Sequence, residues 1–196
     1  MKTAQLSGSV RTNVGKKDAA AVRNAGMVPC VLYGQGEQTH FAVKKNDIEK
    51  IVFSPDVYQV ALDIDGKKAN GIIRELQQHP IKDTIMHVDF LELSSTKPVK
   101  VGLPVRLTGS SRGVMAGGKL MQVFRTLNCI GLPQDLPEAI VIDITKLKIG
   151  HSVRVKSIEI PGVSFLDPAN AVVVSVKMAR GAVKPSDDDD EEEEEA

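Results

Sequence analysis

Apolar and polar residues alternate along most of this chain, in short runs punctuated by Gly, Pro and Asp, which is the pattern of a mainly β protein with a few short helices. Leu6, Gly8 and Val10 mark a first strand, and the loop TNVGKK follows. Asp18 stands where it would cap a helix, AAAVRNA, that stops at Gly26. VPCVLYG (28–34) reads as a buried strand, and HFAVKK as its hairpin partner. Asn46 with Glu49 three residues on forms a capping-box start for DIEKIVFS, ended by Pro55. Tyr58, Val60, Leu62 and Ile64 share one face of a strand that Asp65–Gly66 turns back into GIIREL. QQHPIKD reads as a loop. In TIMHVDFLEL the alternation points Met86, Val88 and Phe90 to the core and puts His87 and Asp89 together on the other face.

STKP (95–98) interrupts the pattern and predicts a linker between a domain at 1–94 and a second at 99–180. Beyond it Val99, Val101, Leu103, Val105 and Leu107 share a face, and SSRGVMAGG reads as a loop. MQVFRTLNCI, AIVIDI, SVRVKSIEI and NAVVVSVKM read as further strands, so the second half is nearly all β. The fold class expected is mainly β with short helices (α+β).

The 196 residues leave room for two domains of about 100 residues each. No apolar run approaches the roughly 20 residues of a membrane span, and the start lacks a signal-peptide core, so an unexported, cytoplasmic chain is expected. Cys30 and Cys129 lie in strand-like apolar runs, which predicts buried free thiols rather than a disulfide framework or metal pair.

Charge changes the picture more. The 25 basic and 25 acidic residues cancel overall, yet 187–195 is DDDDEEEEE, so residues 1–186 carry +9 against −9. Such a run repels itself, and 181–196 is expected to be a disordered acidic tail. The basic body has the electrostatic footprint of a polyanion binder, although basic residues that merely solvate a surface leave the same imprint.

No arrangement for catalysis stands out. Gly113 to Lys119 fits GxxxxGK, but Leu120 follows where magnesium binding needs a hydroxyl, and the next segment reads as a strand rather than a helix. His79, His87 and Asp89 match no standard metal spacing. No catalytic residue, metal or cofactor is expected. RNA binding fits the polar set better. Lys16 and Lys17 lie in a Gly-containing loop before a helix N-terminus, where ammonium groups and open N–H groups both meet phosphate. Arg11 and Arg23 flank that loop and suit bidentate contacts. His87 and Asp89 read equally as solvent-facing strand residues or as contacts to base edges and 2′-hydroxyls.

GKKDAAAVRNAGMVPCVLYG, QQHP and HVDFLEL, in that order, resemble the bacterial large-subunit ribosomal protein family number twenty-five, the 5S rRNA binders. LPVRLTGSSRGVMAGGKL, LPQDLPEAIVIDITKLKIG and IPGVSFLDPANAVVVSVK resemble the C-terminal β domain of its long form, also called general stress protein. The likeness spans residues 4 to 178. It implies an N-terminal β-barrel that binds an internal loop of 5S rRNA through the minor groove, followed by an all-β C-terminal domain. It also implies a non-catalytic place in the large ribosomal subunit beside neighbouring ribosomal proteins, with no membrane or small-molecule partner. On that pattern Arg11, Gly15, Lys16, Lys17, Arg23, Tyr33, His79, His87 and Asp89 stand at the RNA contacts. Two departures are visible: Ala20 and Ala21 replace a pair of Arg common in the family's first helix, and His151 replaces an acidic residue. The rival reading is a stress-related interaction protein whose basic C-terminal domain docks protein partners.

Overall fold

The computed structural model describes residues 1–36 and 38–178. The expected acidic tail lies outside them. Six strands close a barrel in the order β1-β3-β2-β6-β5-β4, where β1 is Lys2–Val10, β2 Met27–Tyr33, β3 Thr39–Lys44, β4 Tyr58–Ile64, β5 Lys67–Gln78 and β6 Ile85–Glu92. Closure depends on β1, which runs parallel to β4 (Leu6↔Leu62) on one side and antiparallel to β3 (Gly8↔Val43) on the other. A closed barrel leaves no edge with unpaired backbone groups. Leu6, Val28, Cys30, Phe41, Val43, Val60, Leu62, Val88 and Phe90 fill the interior, and the Phe41 and Phe90 rings meet with centroids 5.7 Å apart. The β2/β3 hairpin pairs as expected (Cys30↔Phe41). The β4/β5 turn is the two-residue Asp65–Gly66 turn, both residues at positive φ, as such a tight hairpin requires.

Helices α1 (Lys16–Asn24) and α2 (Lys45–Val52) begin differently from the expectation. Neither N-terminus has a side-chain cap. Asp18 is not an N-cap but the third residue of α1; Gly15, at φ 144°, takes the cap position, a backbone conformation that side chains disfavour. Asn46 likewise lies inside α2, and its capping box is replaced by surface ion pairs, Lys45 to Glu49 at 3.7 Å and Lys50 to Asp47 at 3.5 Å. Met86 is only half-buried, and Ile85 takes the core position instead. The cause is a β-bulge: Gln77 faces His87 while Gln78 faces Ile85, so Met86 is the extra residue and the alternation slips by one. The expected loop QQHPIKD starts as strand, with β5 continuing to Gln78.

Two compact units divide the chain. The first comprises Met1–Arg106, Thr126–Ile140 and Glu159–Asp167, so its limits differ from the linker expected at 95–98. Besides the barrel it holds most of β7 (Val99–Thr108), which is antiparallel to β9 (Thr126–Gly131), and β12 (Val163–Phe165), which also pairs with β9. In this unit Asp56 accepts from both Lys2 and Arg106. The Lys2 hydrogen bond above all holds its carboxyl below the ordinary value, helped by the charges of Lys2 and Arg106.

The second unit comprises Leu107–Arg125, Val141–Ile158 and the chain from Pro168. MQVFRTLNCI, expected as one strand, is broken. Its start belongs to β8 (Gly118–Gln122) in this unit and its end to β9, because the Val123 N–H turns to the Val173 carbonyl at 2.9 Å. After β10 (Ile140–Asp143), the expected strand SVRVKSIEI yields only β11 (Ser152–Arg154) before a 3-10 turn at Val155–Ser157. With β13 (Val172–Met178) these form a sheet in the order β11-β13-β8. The expected loop SSRGVMAGG contains one helical turn, α3 (Arg112–Met115). A Cβ on Gly113 would lie 2.7 Å from the Ile149 amide nitrogen, and one on Gly118 2.7 Å from Val176 Cγ1. This glycine-rich stretch thus packs α3 on the sheet, and Lys119 extends along a strand rather than opening a helix.

Phe41→Ala is expected to destabilise the protein by about 3–5 kcal/mol in urea melts, because a fully buried ring is lost, whereas Ile81→Ala at an 86% exposed site should change stability by under about 0.5 kcal/mol. Because the folded-state pKa of Asp56 is depressed, its contribution is present above the ordinary 3.8 and lost as pH falls through the lower folded value. Melting curves of the protein and of Asp56→Asn should therefore converge below that pH and separate at neutral pH.

Candidate nucleic-acid interface

The outer face of the barrel is built on β2. This strand is buried at every position from Val28 to Leu32, because its inward residues fill the core while α1 packs over its outward ones. Asp18, Ala19, Val22 and Arg23 form the half-buried face of α1, and Lys16, Lys17, Ala20, Ala21 and Asn24 are exposed. The 3.6-residue period accounts for this division, since positions 18, 19, 22 and 23 fall on one side of a helix.

Two arginines fix α1 in place. The Arg11 guanidinium donates to the Asp18 carboxylate through Nε at 3.2 Å and through Nη2 at 2.5 Å, and Nη2 also reaches the Asn13 carbonyl at 3.5 Å. Its side chain is only 9% exposed. Arg11 is thus a brace that ties the end of β1 to the first turn of α1, and not an open cation. This pairing also neutralises the one carboxylate in that turn, which would otherwise repel an anion there. At the other end of the helix Arg23 Nε donates to the Met86 carbonyl at 3.0 Å. The bulge at Met86 exposes that acceptor to the helix. Bulges interrupt a ladder in this way and free a backbone group for another partner.

Beside Arg23, His87 and Asp89 stand two residues apart on the outer face of β6. His87 Nδ1 lies 2.8 Å from Asp89 Oδ1, with the two side chains 27% and 25% exposed. Asp89 therefore orients the ring and leaves Nε2 for an outside partner. Register adds neighbours that the linear pattern does not reveal: Asp89 faces Val31 and Glu75, and His87 faces Gln77. Gln77 and Glu75 are the exposed polar residues missed in the sequence, and only the pairing of GIIRELQQ against HVDF could have found them.

The remaining candidates mark the two ends of β6. Tyr33, half-buried, pairs with Leu91 at one end. His79 lies at the other, where its amide donates to the Thr84 carbonyl at 2.9 Å. His79 Nδ1 accepts from the backbone amides of Ile81 and Lys82 at 3.2 and 3.3 Å, so its side chain shapes the turn and its ring proton resides on Nε2. Seven steps of about 3.3 Å place these ends roughly 23 Å apart. The structure thus brings Gly15, Lys16 and Lys17, Arg23, the His87–Asp89 pair and Tyr33 onto one helix-and-strand surface, with His79 at its margin. Arg11 lies beneath. Among the described residues no group of three His, Cys, Asp or Glu side chains converges on a metal position, and no helix is long and apolar enough to cross a membrane. Burial pushes both thiols up, Cys129 to about 11 and Cys30 further still. Such thiols are inert as nucleophiles.

This surface coincides with a family match. Residues 6–90 fit the model of the Ribosomal L25p family, and residues 98–180 fit that of the C-terminal domain of ribosomal protein TL5. Among curated proteins, the large ribosomal subunit protein bL25 of Phocaeicola vulgatus is 40% identical over 189 residues, covering 93% of this chain and 96% of its own. The bL25 of Azobacteroides pseudotrichonymphae is 41% identical over 183 residues, covering 93% and 97%. That of Christiangramia forsetii is 39% identical over 189 residues, covering 95% and 86%. The chain belongs to the ribosomal L25p family. Within this L25p chain the Ala20–Ala21 departure falls on the exposed side of α1, so Lys16 and Lys17 remain the exposed cations of that helix.

Asp18→Ala strips the 9%-exposed Arg11 guanidinium of its carboxylate. The loss expected in urea melts is about 1–3 kcal/mol, the range for a charge-assisted bond at a part-buried site, with faster amide exchange across Lys16–Asn24. A loss below about 0.5 kcal/mol, the size of an ordinary surface change, would show that Arg11 does not brace the helix.

Proposed function

We propose that this L25p chain is a structural, non-catalytic component of the large ribosomal subunit in the cytoplasm, and that the surface formed by α1, β2 and β6 binds 5S rRNA. The observation that carries the reading is the juxtaposition of two kinds of group on one surface. Lys16 and Lys17 stand exposed at an uncapped helix N-terminus, and the oriented His87–Asp89 pair stands on the neighbouring strand. The first suits phosphates, which ammonium groups and open N–H donors bind without regard to sequence. The second suits what the wide, shallow minor groove of helical RNA presents, namely 2′-hydroxyls and base edges. Asp89 accepts and does not donate, so it meets a hydroxyl or a base amine rather than a phosphate. The His87 ring, held at Nδ1 by Asp89, leaves Nε2 for a polar partner of the same groove. Tyr33 and His79 bound the surface and Arg11 supports it. The RNA-binding part is residues 1–94 with 95–98 as linker, the β domain at 99–180 adds contacts to neighbouring ribosomal components, and 181–196 is an acidic appendage.

Filter-binding titrations of 5S rRNA and tRNA separate the two kinds of contact. Lys16→Gln with Lys17→Gln should weaken both RNAs alike and flatten the salt slope by about 0.7–0.9 per phosphate contact. Asp89→Ala should instead cost about 1–3 kcal/mol against 5S rRNA, with little effect on tRNA, since a desolvated hydroxyl or amine loses its acceptor. Equal losses on both RNAs in the Asp89 variant would return the pair to the role of solvent-facing strand residues.

A further inference from the structure

The described part of the second compact unit is strongly basic. Its described residues include Arg112, Lys119, Arg125, Lys146, Lys148, Arg154, Lys156 and Lys177, with Asp143 as the one carboxylate. The β11-β13-β8 sheet buries one face, on which Val176 packs against the Gly113–Gly118 stretch. Residues of the opposite face alternate with these. In β13 they are Ser175 and Lys177, which pair with Met121 and Lys119 of β8, and Ser152 of β11 pairs with Ser175. Lys119 and Lys177 are thus direct cross-strand neighbours. Both are exposed, as are Arg154 and Met121, and none of the three cations enters an ion pair among the described residues. A shallow groove of about 500 Å³ runs along this face past Val123, Ser152, Val172 and Ser175 to Lys177.

Like charges placed directly opposite on a sheet are unfavourable unless an anion lies between them. The chain carries a matching anion. β13 ends at Met178, one residue beyond Lys177, and the sequence continues to the nine carboxylates of Asp187–Glu195. The eight residues 179–186 span at most about 26–29 Å when extended. The three-stranded sheet is only about 10 Å across at the usual strand spacing. The run is therefore long enough to turn back over the strand it leaves, at an effective concentration that a tether of this length brings to the millimolar range.

We infer that the exposed face of the β11-β13-β8 sheet, centred on Lys119 and Lys177, is the docking site of the chain's own acidic segment Asp187–Glu195. The segment occupies the basic face as a polyanion would and holds unrelated nucleic acid off it. Contacts of this kind are salt-sensitive, since the Debye length falls from about 30 Å at 0.01 M salt to about 8 Å at 0.15 M. The inference stands apart from the RNA site on the barrel, and its first test contains no RNA.

Carbodiimide treatment of the full chain at low salt, followed by peptide mass spectrometry, joins carboxylates to lysine amines in contact with them. Amides from Asp187–Glu195 to Lys119 and Lys177 should dominate within the monomer and fall at least fivefold in 0.5 M salt. Links spread evenly over all exposed lysines, centred on Lys16 and Lys17, or formed mainly between chains would overturn the assignment. A second measurement compares poly-uridine binding by the full chain and by a chain ending at Ser186. Removing the segment should tighten binding about three- to tenfold at 50 mM salt and less than twofold at 300 mM. The gain should vanish in a Lys119→Gln/Lys177→Gln background, whose melting temperature is expected to match the parent's. A gain undiminished in that background, or protection of Lys119 and Lys177 by poly-uridine in the full chain, would show that the face belongs to another occupant.

Discussion

Strand β2 is buried on both of its faces, and the arrangement of the candidate surface follows from that constraint. The inward side chains Val28, Cys30 and Leu32 fill the barrel; the outward Pro29 and Val31 need a second cover, which α1 supplies. A helix with no fully buried residue of its own is held weakly by apolar contact alone. Its position relies on polar braces at both ends, Arg11 to Asp18 and Arg23 to the Met86 carbonyl. The Arg23 brace joins the end of α1 to β6, the strand that presents His87 and Asp89.

Much of this was legible in the sequence, and the failures have physical causes. Alternation located all six barrel strands and placed His87 and Asp89 on one face, since a two-residue period is local information. The Asp65–Gly66 turn was equally legible, because its left-handed backbone demands those residue types. The helix starts were misread: Asp18 has the chemistry of a cap, yet the carboxylate is claimed by Arg11, seven residues earlier and on another element. Met86 failed because a bulge shifts the period by one, and nothing in TIMHVDFLEL announces it. MQVFRTLNCI failed because one apolar run serves two sheets. In each case a distant partner overrode a sound local preference.

Arg11 shows how the two levels differ in assigning roles. A basic residue beside a Gly-containing loop suggests a phosphate contact, but the folded chain spends its guanidinium on Asp18. The net effect at the helix N-terminus is still favourable to an anion, because the carboxylate is neutralised while Lys16 and Lys17 remain open. Under the proposed function the arrangement separates tasks: cations at the helix tip would attract any nucleic acid, and the acceptors of β6 would select what they touch.

Lysine acetylation footprinting of the full chain at about 150 mM salt, where weak non-specific contacts fade, with and without 5S rRNA, tests the central claim most directly. The account predicts that Lys16 and Lys17 lose reactivity several-fold in the complex while Lys44 and Lys50, exposed elsewhere on the barrel, keep theirs. Unchanged reactivity at Lys16 and Lys17 in a saturated complex, with protection confined to lysines beyond Pro98, would contradict it.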